Sequence, residues 1–142
     1  MSTYSEVEVQ NPARVARRRV IRYVAAALSA VTAIIYLLIG LQVLIVLDTP
    51  SDQIFGYFAS AAYALGVFLL LAYDRRLFVI LGALFQVFVI FQYFNMASQR
   101  TPDFEVWGIV LRVAQALILI ALVYLEVRLP LAPPAVPERS LA

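Results

Sequence analysis

The chain has 142 residues, of which 63% are apolar and 14% charged, and its formal net charge is +2. A water-soluble domain is about 45–50% apolar and about 25% charged, so this composition excludes an ordinary soluble domain and predicts that lipid surrounds the protein. The chain contains no cysteine, histidine or lysine, and all eleven basic residues are arginine. These absences exclude disulfides, thiolate metal sites, histidine-ligated haem or chlorophyll, and lysine Schiff bases.

Residues 1–22 form a basic segment ahead of the first apolar run and contain five arginines. Within this segment, Asn11 is followed by Pro12. This pair is typical of a helix start, because asparagine caps a helix N-terminus and proline fits the first helical position. We therefore expect the first helix to begin in water and to carry its arginines to the lipid headgroups.

Four apolar runs follow, each close to the roughly 20 residues that a helix needs to cross a bilayer. They cover residues 23–47, 54–73, 77–97 and 106–125. Helices satisfy their own backbone hydrogen bonds in hydrocarbon, so the sequence predicts an all-α, four-helix transmembrane bundle over residues 23–129. Residues 130–142 contain four prolines and are predicted to form a flexible tail.

Arginine is distributed unevenly over the predicted loops and ends. If all four runs cross the membrane, nine arginines share one side and only Arg100 lies on the other. Positively charged segments remain in the cytoplasm, so both termini are predicted to be cytoplasmic. The arginine-only, Ala-, Val- and Leu-rich composition is typical of a GC-rich bacterial genome, and we expect a multi-pass protein of the bacterial inner membrane.

Small residues recur at helical spacing in the first two runs and predict close helix packing. Lipid tails are as apolar as leucine, so transmembrane helices associate through small residues and hydrogen bonds rather than through burial alone. The residues predicted to pack in this way are Ala26, Ala30, Ala33, Gly40, Gly56, Ser60 and Gly66.

The third run is rich in aromatic residues, including Phe85, Phe88, Phe91 and Phe94. One interpretation is lipid contact and filling of the core, which is the commoner role of such residues. The other is a surface for a quinone, a carotenoid, another pigment or a partner helix.

Arg112 is the only charged residue deep within a predicted span. An arginine at the centre of a helix costs about 2.5–3.5 kcal/mol on insertion scales, so it usually faces protein or water. Counting inward from the span ends places six other polar side chains at a similar depth: Gln42, Ser60, Tyr63, Gln92, Asn95 and Gln115. We expect them to form a polar layer in which the amides of Gln92 and Asn95 accept hydrogen bonds from the guanidinium.

Three interpretations of this layer remain open. In the first, Arg112 is structural and is held by Gln92, Asn95 and Glu105. In the second, the guanidinium is a site for an anion, a lipid headgroup or a carbonyl-bearing ligand. In the third, it meets an acid or a carbonyl of another subunit.

The sequence favours a non-catalytic protein, since its acids form no evident pair and its five glycines form no phosphate-binding loop. Four spans in a short chain resemble the small multidrug-resistance exporters, whose export depends on a glutamate in the first helix. No acid lies between Tyr23 and Leu47 here, which argues against proton-coupled export.

The predicted function is an accessory, structural or ligand-binding subunit of a larger bacterial membrane complex. The alternative is a small oligomeric channel or transporter for an anionic or polar small molecule. We expect membrane lipids and either other transmembrane subunits or further copies of the chain as partners, and no nucleic acid. No cofactor is predicted, although the surface leaves room for a lipid, quinone, carotenoid or other pigment.

Overall fold

The computed structural model describes residues 11–44, 52–97 and 106–131. They form four α-helices: α1 (Pro12–Gly40), α2 (Asp52–Ala72), α3 (Arg76–Ala97) and α4 (Val106–Arg128). All four are long and apolar enough to cross a membrane. This confirms the prediction of an all-α fold with four helices of transmembrane length. Residues 1–10 and most of the predicted tail lie outside the described residues.

Helix α1 starts earlier and ends earlier than the first apolar run. The side chain of Asn11 caps the helix by accepting a hydrogen bond of 3.0 Å from the Ala13 backbone N–H, and Pro12 opens the first turn. The helix ends at Gly40 rather than near Leu47, because Gln42 adopts a left-handed conformation (φ 60°) that α-helix cannot continue through. The helix thus begins within the basic segment, as the cap predicts.

The four helices pack as two antiparallel hairpins joined through α1 and α4. Helix α1 packs most extensively against α2 and also against α4, while α4 packs against α3. Helices α2 and α3 hardly touch each other, although a short connection joins them. The bundle is therefore open on one side, between α2 and α3.

The buried core lies along the centre of the bundle, and large apolar side chains cover its outside. Ala25, Leu125 and Ile118 are almost completely buried, whereas Phe58 is 74% exposed and Phe91 is 68% exposed. Soluble proteins rarely expose apolar side chains so widely. This distribution is the one expected of helices surrounded by hydrocarbon.

Helices α1 and α2 approach each other closely at Gly40 and Gly56. A Cβ atom added to Gly56 would lie 2.6 Å from the backbone nitrogen of Gly40 and 2.9 Å from the carbonyl oxygen of Tyr36. Only glycine fits such a backbone contact, and it lets the two helices meet with almost no side chain between them. Of the other small residues predicted to pack, Ala26 and Ala33 are buried, and Ala30 and Ser60 are half-buried.

Arg18 ties three segments together at the end of the bundle where α1 and α3 begin, here called the arginine-rich end. Its guanidinium pairs with Asp74 (Nη2 to Oδ1 2.7 Å) and donates through Nη1 to the carbonyl oxygens of Leu125, in the last turn of α4, and of Leu129, directly after the helix. Arg22 pairs with the other oxygen of the same carboxylate at 2.9 Å. The cation also suits the negative end of the α4 dipole.

The carboxyl of Asp74 is held in its charged form by these partners. Burial alone would raise its pKa, but the hydrogen bond and charge of Arg18, together with those of Arg22, outweigh burial and hold the pKa below its ordinary value. The connection between α2 and α3 is thereby anchored to α1, and Arg76 at the start of α3 pairs with Glu126 of α4.

Candidate functional site: a lateral groove beside a polar layer

The opening between α2 and α3 forms a groove with a cavity volume of about 290 Å³. Helices α2 and α3 supply its sides, and α1 and α4 supply its floor through Ser29, Ile118 and Leu122. Nearly all the lining is apolar. The volume is close to the lower end of the range of about 300–1,000 Å³ that small-molecule sites occupy.

Two glycines line the groove, and of these Gly66 leaves empty space in it. A Cβ atom added to Gly66 on α2 would have no other atom within 4 Å, whereas one added to Gly82 on α3 would lie 3.2 Å from a Leu122 methyl group. Gly66 is therefore not a helix-packing residue like Gly56, although the sequence pattern groups the two together. Its missing side chain is part of the cavity.

One end of the groove is polar and lies near the middle of the helices. Tyr63 donates a hydrogen bond of 2.9 Å from its hydroxyl to Oε1 of Gln86, and both side chains are at least 97% buried. Both line the groove, as does the buried Ser29. Among the hydrogen bonds of the described residues, Gln86 takes part through Oε1. The groove wall thus contains a buried amide that is only half satisfied.

These three polar residues lie at one depth. Ser29 lies eleven residues from Gly40, Tyr63 eleven from Asp52, and Gln86 eleven from Ala97. Gly40, Asp52 and Ala97 are the helix ends farthest from the arginine-rich end. Eleven residues rise about 16 Å. That is about half of the roughly 30 Å hydrocarbon thickness, so in a bilayer the polar end of the groove would lie near the midplane.

The polar layer predicted around Arg112 is adjacent to the groove. Nη2 of Arg112 donates to the Tyr36 hydroxyl at 3.0 Å, and the amide nitrogen of the completely buried Gln115 donates to the same oxygen at 3.1 Å. Nη1 of Arg112 donates to the carbonyl oxygen of Val89 at 3.3 Å. The guanidinium carbon also lies 4.2 Å from the centre of the Tyr93 ring, a cation–π distance.

Tyr36 joins the polar layer to the groove. Its ring stacks on that of Tyr63, with centroids 5.7 Å apart, and Tyr63 in turn lies edge-on to Phe85 at 5.6 Å. Hydrogen bonds and ring contacts therefore run from Arg112 on α4, through α1 and α2, to Gln86 on α3. Oε1 of Gln115 is buried without a hydrogen-bond partner in the described part of the chain.

The structure brings together only part of the predicted layer. Arg112, Gln115 and Tyr63 belong to the chain of contacts described above. Gln92 is half-buried and is not among the residues that Arg112 contacts, since the guanidinium meets Val89 and Tyr93 on that helix instead. Gln42 follows the end of α1 and is exposed, which places it away from the layer.

The remaining predicted residues lie at the edges of the site. Asn95 is exposed and takes part in an interaction, and Ser60 is half-buried on α2. Glu105 lies outside the described residues. The aromatic residues of α3 are exposed to a large extent, and the least exposed of them is Phe85, which lines the groove: Phe85 37%, Phe88 60%, Phe91 68% and Phe94 54%.

Sequence reasoning did not find Tyr36, Gln86 or Tyr93. Gln86 was detectable, because it is the first strongly polar residue after the start of α3 in an otherwise apolar run. Tyr36 and Tyr93 were not, since a tyrosine in a transmembrane segment does not reveal whether its hydroxyl meets a partner or an interface.

Among the described residues, no group of three or more acidic side chains that could hold a metal ion is present. Comparison of the chain with protein-family models, curated proteins and solved structures finds no significant match. A function can therefore be inferred only from the groove and the residues around it.

Proposed function

We propose that this chain is a non-catalytic, multi-pass protein of a bacterial inner membrane that binds an apolar small molecule from the bilayer in the groove between α2 and α3. Both termini are cytoplasmic in this proposal, because the arginine-rich end would face the side that retains positive charge. The observation that carries the proposal is the apolar cavity of about 290 Å³ between two helices that hardly touch.

The position of the groove supports entry from lipid rather than from water. Its rim includes Leu65 and Leu81, which are more than half exposed on the outside of the bundle. An apolar ligand dissolved in the bilayer can reach such a site without crossing a polar surface. A groove open towards the bilayer also suits an accessory subunit, since a partner helix can cover it.

The contacts of Arg112 favour the structural interpretation of this residue over anion conduction. Two of its nitrogens donate to Tyr36 and Val89, and Tyr93 covers its plane. A guanidinium occupied in this way pins the register of α1, α3 and α4. Its Nε–H is buried inside the bundle, where a permeating ion does not reach it.

Photolabelling in liposomes tests the proposed function. A long-chain alkyl diazirine is activated in the bilayer, and the labelled residues are mapped by mass spectrometry. We expect strong labelling of the groove residues Leu69 and Leu70, and Gly66→Leu should reduce it at least fivefold by filling the cavity. The proposal is wrong if Gly66→Leu leaves the labelling of these residues unchanged.

Ala64→Leu is the matched control for this experiment. It adds volume to the same helix at an exposed position outside the groove. Groove labelling should therefore remain as in the wild type, while labelling of outward residues such as Phe58 should be equal in all three proteins.

A further inference from the structure

The two ends of the groove differ in chemistry: one is apolar and the other contains polar side chains. Its body is lined by aliphatic and aromatic side chains, from Leu70 and Phe78 near the arginine-rich end to Phe85. Its other end holds the amide of Gln86, which is 97% buried and shares a hydrogen bond with Tyr63 through Oε1 alone. An amide donor that faces an apolar groove without an acceptor is costly, so an occupant that accepts from Nε2 would be selected over one that cannot.

From this arrangement we infer that the ligand is a neutral amphiphile with a hydrogen-bond acceptor of the carbonyl type, whose carbonyl lies at Gln86 and whose apolar part runs along the groove towards Leu70. The inference rests on the proposed function, because it names the ligand class of the same site.

The depth of Gln86 excludes a charged head. In a bilayer this residue lies near the midplane, where an ionised group costs several kcal/mol unless it is paired. The cation of the neighbouring layer, Arg112, is not among the residues that line the groove, and it donates to Tyr36 and Val89 instead. A phosphate or carboxylate head would therefore be buried without a counter-ion, whereas a ketone, quinone or ester carbonyl carries no such cost.

The direction of the groove also argues against an ordinary phospholipid. A phospholipid from the leaflet at the arginine-rich end would keep its head near Arg75 and place only its chain terminus at Gln86, which leaves the amide unsatisfied. From Tyr63 to Leu70 the groove rises seven residues, or about 10 Å. A short alkyl segment or the first isoprenoid units of a tail fill that length.

The test is competition against the alkyl diazirine in liposomes with two molecules of equal chain length, methyl nonyl ketone and undecane. In the wild type we expect the ketone to displace groove labelling at about a tenfold lower mole fraction than the alkane, which is what one buried hydrogen bond contributes. Decanoate at neutral pH should compete no better than undecane.

The double variant Gln86→Leu with Tyr63→Phe removes both polar groups together and leaves neither without its partner. It should keep the labelling of the groove and reduce the ketone-to-alkane preference to about one. Gln86→Leu alone, which leaves the Tyr63 hydroxyl without its acceptor, serves as a second variant if the double variant is not recovered in folded form.

The outcomes separate this inference from the proposed function. If ketone and alkane compete equally in the wild type, the groove still binds apolar molecules and the carbonyl class is wrong. If Gly66→Leu leaves groove labelling intact, the proposed function itself is wrong. Once the ketone preference is established, a short-chain ubiquinone and a diacylglycerol are compared in the same assay, and the better competitor identifies the natural source of the carbonyl.

Discussion

Tyr36 of α1 and Tyr63 of α2 stack with their ring centroids 5.7 Å apart and their planes 20° apart. The hydroxyl of Tyr36 accepts hydrogen bonds from Arg112 and Gln115, and the hydroxyl of Tyr63 donates one to Gln86. The pair therefore provides a second connection between α4 and α3, through α1 and α2, beside the direct packing of these two helices. A substitution of either tyrosine should therefore alter the contacts of both the polar layer and the groove.

Tyr36→Phe should destabilise the bundle by about 1–2 kcal/mol. The substitution keeps the ring stack but removes the oxygen to which Arg112 and Gln115 donate, so the buried amide of Gln115 loses its described partner. Unfolding in mixed micelles with increasing SDS, followed by circular dichroism, measures the change. Tyr124→Phe is the control, because Tyr124 is 36% exposed, and a loss of equal size there would contradict the role of Tyr36.

Gly56→Ala should be much more harmful than Gly66→Ala, although both lie on α2. The new methyl group at position 56 meets the backbone of Gly40 at 2.6 Å, which neither helix can avoid without moving, whereas position 66 faces open space. We expect a loss of about 1–3 kcal/mol at Gly56 and little change at Gly66, measured by the same unfolding assay. Equal effects would mean that α1 and α2 do not meet at Gly40.

Gly108→Ala provides an intermediate case for the same comparison. Its added methyl group would lie 2.5 Å from the hydroxyl of Tyr93, the far end of a side chain that can rotate. Rotation of that ring also moves it away from Arg112. The stability cost should therefore lie between those of the two α2 variants.

The loss of stability at acidic pH should depend on Asp74. Its folded-state pKa is lower than its ordinary value, so the stabilisation is complete above the unfolded-state pKa of about 3.9 and is lost as the pH falls through the folded-state pKa. Stability should thus be independent of this group between about pH 5 and neutrality. Unfolding midpoints recorded from neutral pH down to strongly acidic conditions measure this loss of stability. In Asp74→Asn the midpoint should change less with pH over the acidic range.

Asp74→Asn should also lower stability at neutral pH by about 1–3 kcal/mol, since Arg18 is mostly buried and loses its anionic partner. Glu126→Gln is the matched control. Its partner Arg76 is 70% exposed, so this ion pair should contribute less than about 1 kcal/mol. If the control is as harmful as Asp74→Asn, the contacts of Arg18 do not hold the arginine-rich end together.

Arg112 and Tyr93 should be energetically coupled. A double-mutant cycle with Arg112→Gln and Tyr93→Leu should give a coupling of about 1 kcal/mol, because the guanidinium lies 4.2 Å from the ring centre inside the bundle. The same cycle at Arg22 and Tyr23, where the distance is 5.9 Å and the ring is half exposed, should give a smaller value. A coupling near zero for the first pair would show that the ring contributes only volume.

The helices could be predicted from the sequence because long apolar runs and a cap leave few alternatives. The end of α1 could not, since the run continues past Gly40 and the turn depends on the left-handed residue Gln42. Residues 45–47, which complete the predicted span, lie outside the described part of the chain.

The depth of Arg112 could also be predicted, but not its partners. Counting from the helix ends gives a level along the bundle and says nothing about rotation around each helix. Helix α3 is apolar on nearly all sides, so no hydrophobic stripe shows which face meets α4. Val89 and Tyr93, four residues apart, form the face that meets Arg112, and Gln92 lies to one side of it.

The groove had no signal in the sequence at all, because it arises from a pair of helices that make few contacts with each other. In the sequence, Gly66 is one more small residue in a pattern that predicts helix packing. Only the positions of α1 and α4 relative to α2 and α3 show that the space beside it stays empty.

The arrangement of the hairpins has a consequence for how the bundle assembles during synthesis. Helix α1 packs against both α2 and α4. Of the four helices, α1 is synthesised first and α4 last, so the contacts of α1 are complete only after α4 has been made. Until α4 emerges, Arg18 can reach Asp74 but not the carbonyl oxygens of Leu125 and Leu129. The first hairpin therefore has one face uncovered until the second hairpin is made, and α4 then covers that face and supplies the two carbonyl oxygens.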